Sequence, residues 1–213
     1  MMTITAAVAT SLHNVCPLNR GPPRGACGQG SRPSVFGLEH PESSNFFLSM
    51  KILNDLFLDE LAVMYDTEQR LIRALASLAE AASSPDLREA FQSHQEETRG
   101  HVKRLGEVFM DLKQEPRGRP SEAVTGLLKE AQELTFDYEG SLTIDAALIA
   151  AAQKVEHYEI ATYGCLHAWA LLLKEETAAR ILHQIMDEEK SANETLSQLA
   201  LTMINEDALS EDP

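Results

Sequence analysis

The chain has 213 residues, 44% of them hydrophobic, and carries 33 Asp and Glu against 18 Lys and Arg for a formal charge of -15. That length supports one domain with a tail, or two small ones, with enough apolar material for a real core. The acidic balance disfavours nucleic acid and anionic membrane as partners, because both are held by basic patches. It leaves cations as the natural counterpart.

Residues 1–49 differ from all that follows. They carry Pro17, Pro22, Pro23, Pro33 and Pro41, scattered Gly and Ser, and no helical period. A disordered leader is expected there, or a stretch upstream of a true start at Met50-Lys51. The segment TITAAVATSL is weakly apolar but has no basic residue before it, so a secretory signal fits poorly. Arg20, Arg24 and Arg32, all preceding the first acid at Glu39, leave a transit peptide as the alternative. Cys16, Cys27 and Cys165 show no pairing pattern, which points to a reducing, cytoplasmic setting. No apolar run approaches the ~18 residues of a membrane span.

From Met50 the pattern becomes helical. A first helix is predicted from about Lys51 to Ala82, with Phe57, Met64, Thr67/Glu68, Leu71, Leu75 and Leu78 on one stripe. Ser83-Ser84-Pro85-Asp86 ends it and caps a second helix, from about Asp86 to Leu112. That helix is striped by Leu87, Phe91, His94, Thr98, His101, Leu105 and Val108. Lys113–Pro120 reads as a loop and Ser121–Tyr138 as a shorter helix. A third long helix is predicted over about Ser141–Leu173 and a fourth over about Thr177–Met203, followed by a frayed acidic tail at 206–213. No strand pattern occurs. The fold class is all-α, a four-helix bundle over residues 50–205 whose short helix is the crossover between parallel second and third long helices.

Several stripes contain carboxylates, which are expensive to bury unless something cationic meets them. In a hairpin turning near Ser84, Glu68 lies 16 residues before the turn (84 − 68) and Glu97 lies 13 after it (97 − 84). At about 1.5 Å per residue these heights differ by about one helical turn. In a second hairpin turning near Glu175, Glu156 and Glu159 lie 19 and 16 before the turn (175 − 156, 175 − 159) and Glu189 lies 14 after it (189 − 175). Glu156 falls on the core stripe and Glu159 at its edge. Four inward acids at mid-height are what a two-metal carboxylate site requires. His94 and His101 flank Glu97 and can each add an imidazole, or serve as core histidines. Tyr163, one turn after Glu159, is placed to support a ligand through its hydroxyl. Cys165 is expected to be a small buried hydrophobe, and Trp169 and Leu171–Leu173 packing or dimer contacts.

The stretches LFLDELAVMYDTEQRLIRAL, FQSHQEETRGHVKRL, AAQKVEHYEIATYG and MDEEKSANETLSQLA resemble the bacterial stress-induced, YciF-type members of the ferritin-like superfamily. Glu156-x-x-Glu159 followed by Tyr163 is also similar to the third helix of rubrerythrins, where both acids bind metal. The resemblance covers Met50 to about Leu201. It implies a ferritin-like bundle with two iron ions as cofactor and Glu68, Glu97, Glu156, Glu159 and Glu189 as ligands. It further implies a stress-associated oxidation of Fe(II), or consumption of O2 or peroxide. The chain departs from the usual pattern, which has Glu-x-x-His on two helices. Here the second helix has His94-x-x-Glu97 and Glu97-x-x-x-His101, and Ala192 stands where a histidine would follow Glu189.

Two rival readings stand beside this one. Carboxylate-rich ligation suits manganese as well as iron, which makes a dimanganese, catalase-like site the nearer rival. The other is a structural or interaction bundle with a vestigial site. A homodimer is expected in each case, from leftover apolar helix surface.

Overall fold

The computed structural model describes residues 52–210, so the expectations placed on residues 1–49 lie outside the described residues. The helices are α1 (Leu53–Ala81), α2 (Pro85–Asp111), α3 (Glu122–Asp137), α4 (Ile144–Leu173) and α5 (Glu176–Leu199). A π-helical turn, Ala200–Ile204, then leads into the short α6 (Asn205–Leu209). No strand occurs among the described residues.

Local chemistry sets the boundaries. The Asp55 carboxylate accepts from Ile52 N at 3.0 Å and closes the start of α1. Ser84 caps α2 by accepting from Leu87 N, with Pro85 in the first helical turn where its missing N–H is not needed. Ser121 caps α3 in the same way. Lys174 ends α4 in the left-handed conformation, at φ 63°, and turns the chain into α5 within two residues.

α1 packs on α2, α2 on α5, α5 on α4 and α4 back on α1, so four long helices close a ring. The start of α4 lies against the end of α1, because Asp145 accepts from the backbone N–H of Ser83 and of Ser84, each at 2.8 Å. α2 and α4 therefore begin at the same end of the bundle and run parallel. The crossover joining them is the loop after Asp111 plus α3, laid on the outer surface of α1 and α4. Arg119 N donates to Ala62 O at 2.9 Å, and Arg70 of α1 donates to Thr125 of α3 at 3.1 Å.

The core falls into two apolar blocks. One contains Phe57, Leu61, Met64, Leu105, Phe109, Leu166, Leu182 and Ile185; the other contains Leu71, Leu75, Leu87, Phe91, Leu148, Ile149 and Leu196. Between them every long helix interrupts its stripe with ionisable residues. α1 does so with Glu68, α2 with His94 and His101, α4 with Glu156 and Glu159, and α5 with Glu189, all buried.

Three expectations need correcting. The tail is helical as far as Leu209, beyond the predicted end at about Met203. The π turn inserts an extra residue per turn, and this rephases the chain so that Ile204 returns to the apolar block. Cys165 is exposed, on the outward face of α4. Glu159 is fully buried instead of lying at the edge of the stripe. Both of the last two misplacements occur on α4, which is apolar nearly all round because α1, α3 and α5 pack on three of its sides.

Candidate metal centre

Two groups of buried side chains offer converging donor atoms. The first is His94, Glu156, Glu159 and Glu189; the second is Glu68, His101 and Glu189. Within each group one donor atom per residue lies within 4.8 Å of all the others. Glu189 belongs to both, so one carboxylate stands between two adjacent pockets of ligands.

His94 Nε2 is 3.2 Å from Glu156 Oε1 and 3.6 Å from Glu189 Oε2. His101 Nδ1 is 2.9 Å from Glu189 Oε1 and 3.3 Å from Glu68. One nitrogen carries at most one proton and serves one acceptor well, and Glu189 is left without a hydrogen bond. Tyr163, itself fully buried, donates its hydroxyl to Glu68 Oε1. Thr98, also buried between the two histidines, turns its hydroxyl back to His94 O at 2.8 Å and adds no donor to the cluster.

Satisfaction of polar atoms tests whether a cation fits. Among the described residues, six buried side-chain polar atoms lack a hydrogen-bond partner: His94 Nδ1, Glu156 Oε2, both oxygens of Glu159 and both oxygens of Glu189. All six lie in this one cluster. Buried carboxylate oxygens without partners are destabilising, and divalent cations supply the missing interaction. Oxygen-rich donors with one imidazole per group suit iron, manganese or zinc. These donors would suit two cations, with Glu189 common to both groups.

Without a cation, protons do the neutralising. Burial, then the charges of Glu189, Glu68 and Glu156, pushes the Glu159 carboxyl well above its usual range. Burial likewise raises Glu189 to about 7, against the pull of His101. Burial alone would lower both histidines, but their carboxylate neighbours outweigh it. The nearby carboxylates, Glu156 first and then Glu97 and Glu189, raise His94 well above its usual value, and Glu189 with Glu68 raises His101 to about 10.

Six of the expected ligands are therefore brought together, with Tyr163 behind Glu68. Glu97 is not. Its side chain is 49% exposed and lies 3.5 Å from His94 Nδ1, on the solvent side of that imidazole. It stands at the right height but points about a quarter-turn away from the Thr98 direction that faces the core. Glu188, next to Glu189 on the stripe of the fourth predicted helix, meets a cluster histidine directly. It accepts from His101 Nε2 at 2.9 Å and receives both Arg104 amino groups, with Arg104 Nη1 at 2.9 Å from Oε1. The surface histidines stay outside: His157 donates to Gln153 O on its own helix, and His167 stacks on His183.

Fold and site together define the class, a ferritin-like all-α bundle with a buried carboxylate–histidine cluster across its middle. Residues 52–209 match the family described as a domain of unknown function, DUF892, and the chain belongs to that family. Protein YciF of Escherichia coli K12 is 41% identical over 162 residues, spanning 76% of this chain and 98% of that protein. The crystal structure of the E. coli stress protein YciF aligns with a TM-score of 0.70, covering 73% of this chain and 99% of that one. YcfI from Rhodopseudomonas palustris, provisionally described as a structural protein, aligns at 0.69 and 41% identity over 71% of this chain and 97% of that one.

Proposed function

We propose that the protein is a stress-associated di-metal carboxylate protein, binding two iron ions between its two apolar blocks. The carrying observation is that all six unpartnered buried polar atoms belong to one cluster drawn from three helices. Glu156, Glu159 and His94 would hold one ion, Glu68 and His101 the other, with Glu189 shared. A bound Fe(II) pair would supply one electron from each ion to O2 or peroxide, which is reduced as the irons are oxidised. The chain's own part is to fix the donors, exclude bulk water and hold a proton on Tyr163 beside Glu68. The stress setting rests on the description of the E. coli relative. Repeated turnover would require a reductant to return the irons to Fe(II).

The test is metal content after mild purification, and after anaerobic Fe(II) loading followed by air. About two ions per chain, as in other di-metal bundles, with a new near-ultraviolet absorption on oxidation, support the reading. Two manganese ions in the purified protein would move it to peroxide disproportionation. Absence of stoichiometric metal after loading would overturn it in favour of an interaction bundle.

A further inference from the structure

A cleft of about 810 Å³ lies between α1, α3 and α4. Its length follows α1 from Arg70 to Ala81, about 17 Å at the helical rise of ~1.5 Å per residue. Small side chains open its floor, namely Ala74 of α1 and Ala151 and Ala152 of α4. Leu75, Leu78 and Ile144 supply apolar wall, and α3 roofs it with Leu128. Phe136 stands at the rim with 79% of its surface exposed.

Two features set this space apart from an ordinary packing defect. His94 and Glu156 of the cluster line its inner wall, both more than nine-tenths buried, and Glu156 keeps one oxygen unpartnered. The charged rim is also sorted along its length. Arg70, Arg73 and Lys129 gather at the end level with Glu156, while Glu80 and Glu139 lie at the far end near Ile144. Two of these cations have acids close by, Asp66 at 3.7 Å from Arg70 and Glu133 at 3.0 Å from Lys129, and an anionic ligand would compete with those pairs. A mostly apolar cleft of this size, with a few convergent polar groups, is the usual form of a small-molecule site.

We propose that the cleft binds a free amphiphilic organic anion, of the medium-chain aliphatic carboxylate class, as the organic substrate or effector of the metal centre. The anionic head lies at Arg70, Arg73 and Lys129, and the chain runs under α3 towards Ala81 and Ile144. This orientation puts the carbons next to the head nearest to His94 and Glu156. The proposal rests on the metal reading only for the reacting partner; binding itself requires no metal.

Dodecanoate is the probe, titrated by calorimetry into metal-free and metal-loaded full-length protein. Saturable one-to-one binding is expected, with dodecylammonium at least tenfold weaker. Ala74→Phe fills the floor and is expected to abolish binding. Arg73→Glu with Lys129→Glu, both at exposed positions that cannot disturb the core, is expected to weaken dodecanoate at least tenfold and to narrow the preference over dodecylammonium. Absence of saturable binding, equal affinity for the two head groups, or unchanged affinity in the rim variant would overturn the proposal. So would binding confined to phosphatidylglycerol vesicles. Metal uptake without dodecanoate binding would leave the di-metal reading standing and sink this one; dodecanoate binding without metal uptake would do the reverse.

Discussion

His101 has one ring nitrogen in the cluster and the other on Glu188, which Arg104 holds in turn. A histidine whose outer N–H is anchored on a carboxylate is fixed in tautomer and ring angle, and losing that partner lowers metal affinity by about 10–100-fold. Glu188→Ala is expected to weaken metal binding by about that factor with helical content unchanged, as read by competition against a chelator. Protonation gives a second handle. Glu189 rises from 4.5 to about 7 and His101 from 6.5 to about 10 on folding. A group whose pKa is raised by folding contributes stability that is complete below the unfolded value and lost as pH rises through the folded one. The metal-free protein is therefore expected to lose melting temperature steadily between about pH 5 and pH 10. The lowered carboxyls of Glu97 and Glu188 act only below that window. Metal and proton compete for the same atoms, so loaded protein should show a flattened profile, and metal affinity should rise with pH. Thermal melts across that range with and without Fe(II) or Mn(II) check both signs.

Turns fix the heights at which the helices meet, and one of them depends on a single side chain. Asp145, buried in the first turn of α4, accepts from two successive N–H groups at the start of α2. Its removal orphans both donors and loosens the register of α4 against the first hairpin. Asp145→Ala is expected to cost about 2 kcal/mol, measured by chemical denaturation. Lys174, by contrast, holds a left-handed conformation that a side chain pays for, and Lys174→Gly should stabilise the protein by up to about 1 kcal/mol. Counting residues from these turns was enough to read the heights of Glu68, Glu156, Glu159 and Glu189 from the sequence. Height is not azimuth, however: Glu97 has the right height but is half-exposed, while its neighbour Thr98 occupies the stripe. Glu188 shares the fourth helix's stripe with Glu189, but its role is not legible there for another reason. Its role exists only because α2 lies beside α5, which places His101 and Arg104 opposite it, and no local pattern encodes that adjacency. The positions of Glu159 and Cys165 around α4 were equally hidden, since a helix packed on three sides carries little amphipathic signal.

Across the whole molecule, the middle layer opposes the two apolar blocks that flank it. Both blocks are filled by aliphatic and aromatic side chains from all four long helices, whereas the layer between them buries four carboxylates and two imidazoles. Protonation lowers the charge of that layer but leaves Glu159 with neither oxygen hydrogen-bonded. Replacing such a group with an apolar residue of similar volume removes the desolvation penalty, and in other proteins that exchange is neutral or gains about 1–4 kcal/mol. Glu159→Leu is therefore expected to melt higher than the parent when both are metal-free. The same change deletes a donor from the first group of ligands, so the variant should lose the rise in melting temperature that Fe(II) or Mn(II) gives the parent. A site kept for binding weakens the fold that carries it, and the two effects should appear in one substitution with opposite signs. If Glu159→Leu instead melts below the metal-free parent, the carboxylate is contributing to the empty bundle. The unpartnered oxygens would then no longer argue for a cation.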